Sequence, residues 1–200
     1  MELERIFGLP AHPLLVHAPV ILIPLCAIGA IWIAVSATWR HRIGWIVGVL
    51  AGAAVGASQL ASGSGEALQD AMDKDTALVQ RHAELGETFV WFAFVFFLAV
   101  LALMVWDTMQ RRKAAAAGQE PDLHELGRSG VAIVLGILVT VTALGATFRV
   151  YQVGHSGAES VWEKTTPLVD GSGGGSGESG ETQGMGLRGA PGPIVPARAR

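Results

Sequence analysis

The sequence predicts an all-α integral membrane protein, an up-and-down bundle of four membrane-spanning helices followed by a flexible tail. Three observations carry that prediction. Half of the 200 residues are hydrophobic and only 16% are charged, a balance that excludes a disordered chain. The apolar residues are gathered into four runs, at about residues 14–37, 43–61, 84–106 and 129–151, each near the twenty residues that cross a hydrocarbon core. Residues 166–200 are instead dense in Gly, Ser and Pro and cannot bury enough apolar surface to order themselves. The four-span domain is therefore assigned to residues 1–165.

The first run opens inside the stretch HPLLVHAP, His12 to Pro19. Pro13 suits the first helical position, where a missing N–H costs nothing. Pro19 and Pro24 are interior, and each frees the carbonyl four residues earlier. Membrane helices tolerate this where neighbours or water satisfy the carbonyl. Ahead of the run, Glu2 and Glu4 outnumber Arg5, so no basic signal region is expected there. Arg40, His41 and Arg42 read as a basic turn. The second run carries Gly44, Gly48, Gly52 and Gly56, a bare stripe about 18 Å long on a helix. Such a stripe admits a second helix at close range, or the flat face of a ligand.

Ser62 to Arg81 is a polar connection, and Asp75 or Thr76 is expected to cap the third helix. Trp91 and Trp106 lie near the two ends of the third run, as interfacial aromatics do. Asp107 to Arg128 reads as a second polar loop with the basic run Arg111, Arg112, Lys113. The fourth run holds Thr140, Thr142 and Thr147, which can bond their own backbone or a neighbouring helix.

Lysine and arginine set orientation. Arg40, Arg42, Arg111, Arg112, Lys113 and Arg128 fall on one side, against Arg5, Lys74, Arg81 and Lys164 on the other. The expected location is a bacterial inner membrane with both termini periplasmic. A net charge of -3 gives no basic footprint for nucleic acid. Cys26 is the sole cysteine, so no intrachain disulfide and no cysteine-based zinc or iron–sulfur site can form. Walker, dinucleotide-binding and Ser-His-Asp patterns are absent, and an electron-transfer or accessory subunit is expected ahead of a stand-alone enzyme, a question the sequence leaves open.

Four of the six histidines fall on the same side: His12 and His17 before span one, His82 before span three, and His155 after span four. Imidazole is the commonest metal ligand and a haem axial ligand. Helices one and three of an up-and-down bundle can lie on a diagonal, which makes His17 with His82 the first expected pair. His155 and then His12 are the substitutes. Arg81 and Arg149 are the cations available to haem propionates. Glu84 and Glu87 beside His82 give a second option, a zinc, copper or iron ion held by carboxylates and imidazoles.

The segments GLPAHPLLVHAPVILIPL, RHAELGE and GHSGAESVW, spread over about residues 7–165, resemble a family of predicted four-span bacterial membrane proteins labelled domain of unknown function 2231. Members occur alone or joined to Rieske and cytochrome-type modules, which implies a redox role for His12, His17, His82 and His155. Ala158 stands where a second glycine usually closes the last motif, and no cysteine follows His155 to build a Rieske centre. The expected function is electron transfer through a b-type haem near the outer face. The expected partners are the bilayer and another membrane subunit or a periplasmic redox protein, with quinone as a further candidate. The alternative is a haem-free metal-binding or scaffold subunit of a larger membrane complex.

Overall fold

A computed structural model of the chain describes residues 5–6, 9–71 and 76–162. A minimal ladder opens it: β1 (Arg5–Ile6) pairs antiparallel with β2 (Leu9–Pro10). Six helices follow: α1 (Ala11–Leu15), α2 (His17–Val35), α3 (Ala37–Ala71), α4 (Ala77–Ala116), α5 (Leu123–Arg128) and α6 (Gly130–Trp162). Four helical stretches are long and apolar enough to cross a membrane: Ala11–Val35, Ala37–Asp70, Ala77–Ala116 and Gly130–Trp162. The protein is an all-α four-span bundle. The tail at residues 166–200 lies outside the described residues.

The local chemistry explains the breaks. Pro19 has no N–H to offer Leu15, and the helix interrupts at Val16 between α1 and α2. Val16 N–H still reaches the His12 carbonyl at 3.1 Å, so the two segments stay close to one axis. Pro24 is accommodated inside α2. Thr76 caps α4, its hydroxyl accepting from Val79 N–H at 3.4 Å; Asp75 lies outside the described residues. Gly118 ends α4 with φ of 70°, a conformation glycine enters without steric penalty. Asp122 caps α5 through His124 and Glu125 N–H.

Three boundaries differ from the sequence expectation. The turn between spans one and two is Ser36 alone, with an extended backbone, so Arg40 to Arg42 sit inside α3. Asp107 belongs to α4 rather than to a loop. His155 lies within α6, which runs on to Trp162. In each case the helix outlasts the apolar run, because polar residues with good helix propensity continue it into water. At ~1.5 Å per residue, α4 is about 60 Å long, twice a hydrocarbon core.

The helices pack as a ring in the order α2, α3, α4, α6, which leaves α2 and α4 on one diagonal. The core is rich in alanine, including Ala27, Ala30, Ala51, Ala54, Ala93, Ala143 and Ala146, with Phe96, Ile23, Ile33 and Leu103 filling the space between. Small residues bring the backbones close, and packing rather than water exclusion then holds membrane helices together. Of the glycine stripe, Gly44 sits against Met104 and Gly52 against Phe97. These two glycines are spent on α4 rather than on a ligand wall. Large apolar side chains such as Ile21, Ile28, Val49, Val134 and Leu144 point outward, as a lipid-facing surface requires.

Candidate functional site: a histidine pair at one end of the bundle

α1 brings His12 and α4 brings His82 to the same end of the bundle. Their ring centroids are 6.2 Å apart and their planes meet at 79°. These are the histidines of spans one and three, the diagonal pair of the ring.

Each imidazole is anchored by its own hairpin. His12 Nδ1 lies 2.9 Å from the Ala61 carbonyl and 3.2 Å from Ser64 Oγ. A carbonyl only accepts, so Nδ1 carries the proton. His82 Nδ1 lies 3.0 Å from Ser156 Oγ, whose own hydrogen goes to the Val153 carbonyl at 3.0 Å. The serine oxygen therefore accepts, and again Nδ1 carries the proton. In both rings Nε2 is left with the lone pair.

A glycine underlies each ring. A Cβ at Gly65 would come within 3.0 Å of His12 Cε1, and a Cβ at Gly157 within 3.0 Å of His82 Cε1. Both contacts are tighter than ordinary van der Waals distance. The two halves thus repeat one device: a histidine at the start of a hairpin, and a Ser-Gly pair on its return helix that fixes the ring.

The remaining residues singled out in the sequence are placed differently. His17 is exposed, with Nδ1 donating to the Pro13 carbonyl at 2.7 Å. It stands a little over one turn along from His12 but not on the bundle axis. His155 is exposed, stacked on Tyr151 at 6.0 Å, with Nε2 3.3 Å from Glu159. Arg81 is exposed and 3.9 Å from Glu159. Arg149 donates to Gln152 at 3.0 Å and lies over the Phe92 ring at 5.0 Å, so it pairs with neither Glu84 nor Glu87. Glu84 and Glu87 are both exposed. Among the described residues, no three His, Cys, Asp or Glu side chains assemble into a group that could hold a metal ion.

Sequence reasoning passed over Ser64 and Ser156. The signal was present: Ser64-Gly65-Glu66 and Ser156-Gly157-Ala158-Glu159 stand at matching ends of spans two and four. It also passed over a cluster at the other end. Asp107 accepts from Arg111 at 2.6 Å and lies 3.2 Å from Arg40 Nε, and Arg40 and Asp107 are each 1% exposed.

A four-span helical membrane protein with one imidazole from each diagonal helix is thus defined by fold and site together. The chain belongs to the family of predicted membrane proteins designated DUF2231, which matches residues 8–168. No curated protein and no solved structure matches it.

Proposed function

We propose that this protein is a membrane electron-transfer subunit that holds a b-type haem between His12 and His82. The observation that carries the reading is the spacing of the two rings. With metal–nitrogen bonds of about 2 Å each, rings whose centres are 6.2 Å apart would be close enough for His12 and His82 to hold one iron between them, the role histidine plays toward haem. The donor chemistry fits as well. Both Nδ1–H groups are occupied, and both Nε2 lone pairs are available, the arrangement in which an outer hydrogen bond orients a ligating histidine.

When bound, the haem would supply a one-electron redox centre. The chain's own contribution is to hold the two rings at fixed spacing, fix their tautomers, and place them at the membrane edge. His82 and Asp107 are 25 positions apart on α4, about 37 Å, so the histidine end and the basic end lie at opposite faces of a bilayer about 30 Å thick in its core. The excess of Arg and Lys near Arg40 and Arg111 supports a cytoplasmic basic end and a periplasmic histidine end. A haem there would serve a periplasmic redox protein or a neighbouring membrane subunit. A zinc-type site is less well supported, because two imidazoles are half of a tetrahedral set.

The absorption spectrum of detergent-purified protein tests the reading. The expected result is a reducible Soret band with split α and β bands. His12→Ala and His82→Ala each abolish it, and His41→Ala and His124→Ala retain it. Full colour in the His12→Ala and His82→Ala proteins would overturn the assignment. So would a colourless wild type carrying stoichiometric zinc or copper.

A further inference from the structure

A groove of about 470 Å³ runs between α3 and α4, the helices that carry Ser64 and His82. α3 lines it with Val55, Gln59, Ser62 and Glu66, and α4 with Glu87, Val90, Trp91 and Phe94. Its two ends differ. Glu66, Glu87, Gln59 and Ser62 make the end nearer the membrane surface polar, while Val55, Val90, Trp91 and Phe94 make the deeper end apolar and aromatic. Trp91 is 68% exposed, so the deep end opens sideways, where lipid would lie. The polar end shares helices with the histidine site. Ser62 and Glu66 flank Ser64 and Gly65, which hold His12, along α3, and Glu87 follows His82 by about 7.5 Å along α4.

We propose that this groove binds the head of a membrane quinol, a neutral aromatic diol carrying an apolar tail. The inference deepens the electron-transfer reading and rests on it for its biological sense. Three features select the occupant. Glu66 and Glu87, both exposed, form no ion pair among the described residues, and their negative charge disfavours phosphate and fatty-acid heads. Carboxylates accept hydrogen bonds and offer none when ionised, which suits a head with two O–H donors. Trp91 and Phe94 meet edge to face at 6.3 Å and give the ring an aromatic wall, while the lateral opening lets a long tail remain in lipid. The volume lies within the range of small-ligand sites.

The test is titration of detergent-purified full-length protein, under reducing anaerobic conditions, with a decyl-substituted benzoquinol. Tryptophan fluorescence is the readout. Saturable quenching is expected, with most of the signal lost in Trp91→Phe. Affinity should fall at least tenfold in Glu66→Ala and Glu87→Ala. Val55→Trp, which fills the groove from α3 without touching a charge, should abolish saturation as a second, independent variant. Linear quenching that is the same in wild type and all variants would overturn the proposal. So would displacement of the quinol by an alkyltrimethylammonium or by phosphatidylglycerol at equal concentration. The Soret band of the same samples separates the two readings. Colour without saturable quinol binding sinks the groove alone, and saturable binding by a colourless protein sinks the haem alone.

Discussion

At the basic end, Arg40 and Asp107 are each 1% exposed, and Arg111 closes on the same carboxylate. At the histidine end, His12 and His82 are half-buried and held by a carbonyl and a serine hydroxyl. Both clusters tie together helices that are distant in sequence. They differ in what is left over. The basic end is sealed: Asp107 Oδ2 accepts from Arg111, Arg40 Nε faces Asp107 Oδ1 as an ion pair at 3.2 Å, and Arg40 Nε, Arg40 Nη1 and Asp107 Oδ1, all buried, make no hydrogen bond among the described residues. The histidine end leaves one lone pair on each ring unspent. A sealed ion cluster fastens helices together, whereas two half-buried, anchored imidazoles keep a lone pair each within reach of a ligand.

The sharpest way to break that contrast is at Asp107. Asp107→Ala leaves Arg40 buried without its anion, which costs about 3–5 kcal/mol when one partner of a buried pair is removed. Thermal unfolding in detergent should therefore show the largest loss of stability here. The double variant Arg40→Met with Asp107→Leu should recover most of it, because an apolar pair of similar volume replaces the ions. Haem content per folded molecule should stay at the wild-type value in the double variant. If it falls as far as stability does in the single variant, the two ends are not separate devices.

How much of this was legible in the sequence follows the same division. Helix number, order and the convergence of histidines on one end were readable, because runs of about twenty apolar residues have few other uses. Thr76 was readable as a cap for the same local reason. Asp107 was not. It follows an apolar run directly and looks like the first residue of a loop, and only the length of α4 and the return of Arg40 across the bundle turn it inward. The pairing of His12 with His82 was also beyond the pattern. His17 reads as the deeper histidine, but the break at Val16 and the rotation of the helix leave it facing out. Registers between helices are set by contacts such as Gly44 with Met104, and those have no local signature.

The histidine end is probed more gently through the serines. Ser64→Ala and Ser156→Ala remove hydroxyls that orient the rings without removing a ligand. Loss of such an outer partner typically costs about tenfold or more in affinity. Ser156→Ala should show the larger effect, because Ser156 Oγ is the nearest partner of His82 Nδ1, at 3.0 Å, whereas His12 Nδ1 lies nearer the Ala61 carbonyl, at 2.9 Å, than Ser64 Oγ, at 3.2 Å. Haem titration into the purified apoprotein measures both. Equal effects would mean that the hydroxyl at Ser64, and not the carbonyl, holds His12.

The smallest expected effect lies between the two ends, on the glycine stripe, and it asks whether both ends report on one rigid bundle. A Cβ at Gly44 would overlap Met104 Sδ, whereas one at Gly48 meets nothing within 4 Å. Gly44→Ala therefore forces Met104 to swing away, and overpacking of this kind costs about 1–3 kcal/mol. The flexibility of a methionine side chain keeps the figure toward the low end. Gly48→Ala should be neutral or slightly stabilising, since alanine favours a helix by about 1 kcal/mol over glycine. Melting curves of the two variants should move in opposite directions or differ by a few degrees. If they coincide, the α3–α4 seam is looser than the Gly44–Met104 contact implies.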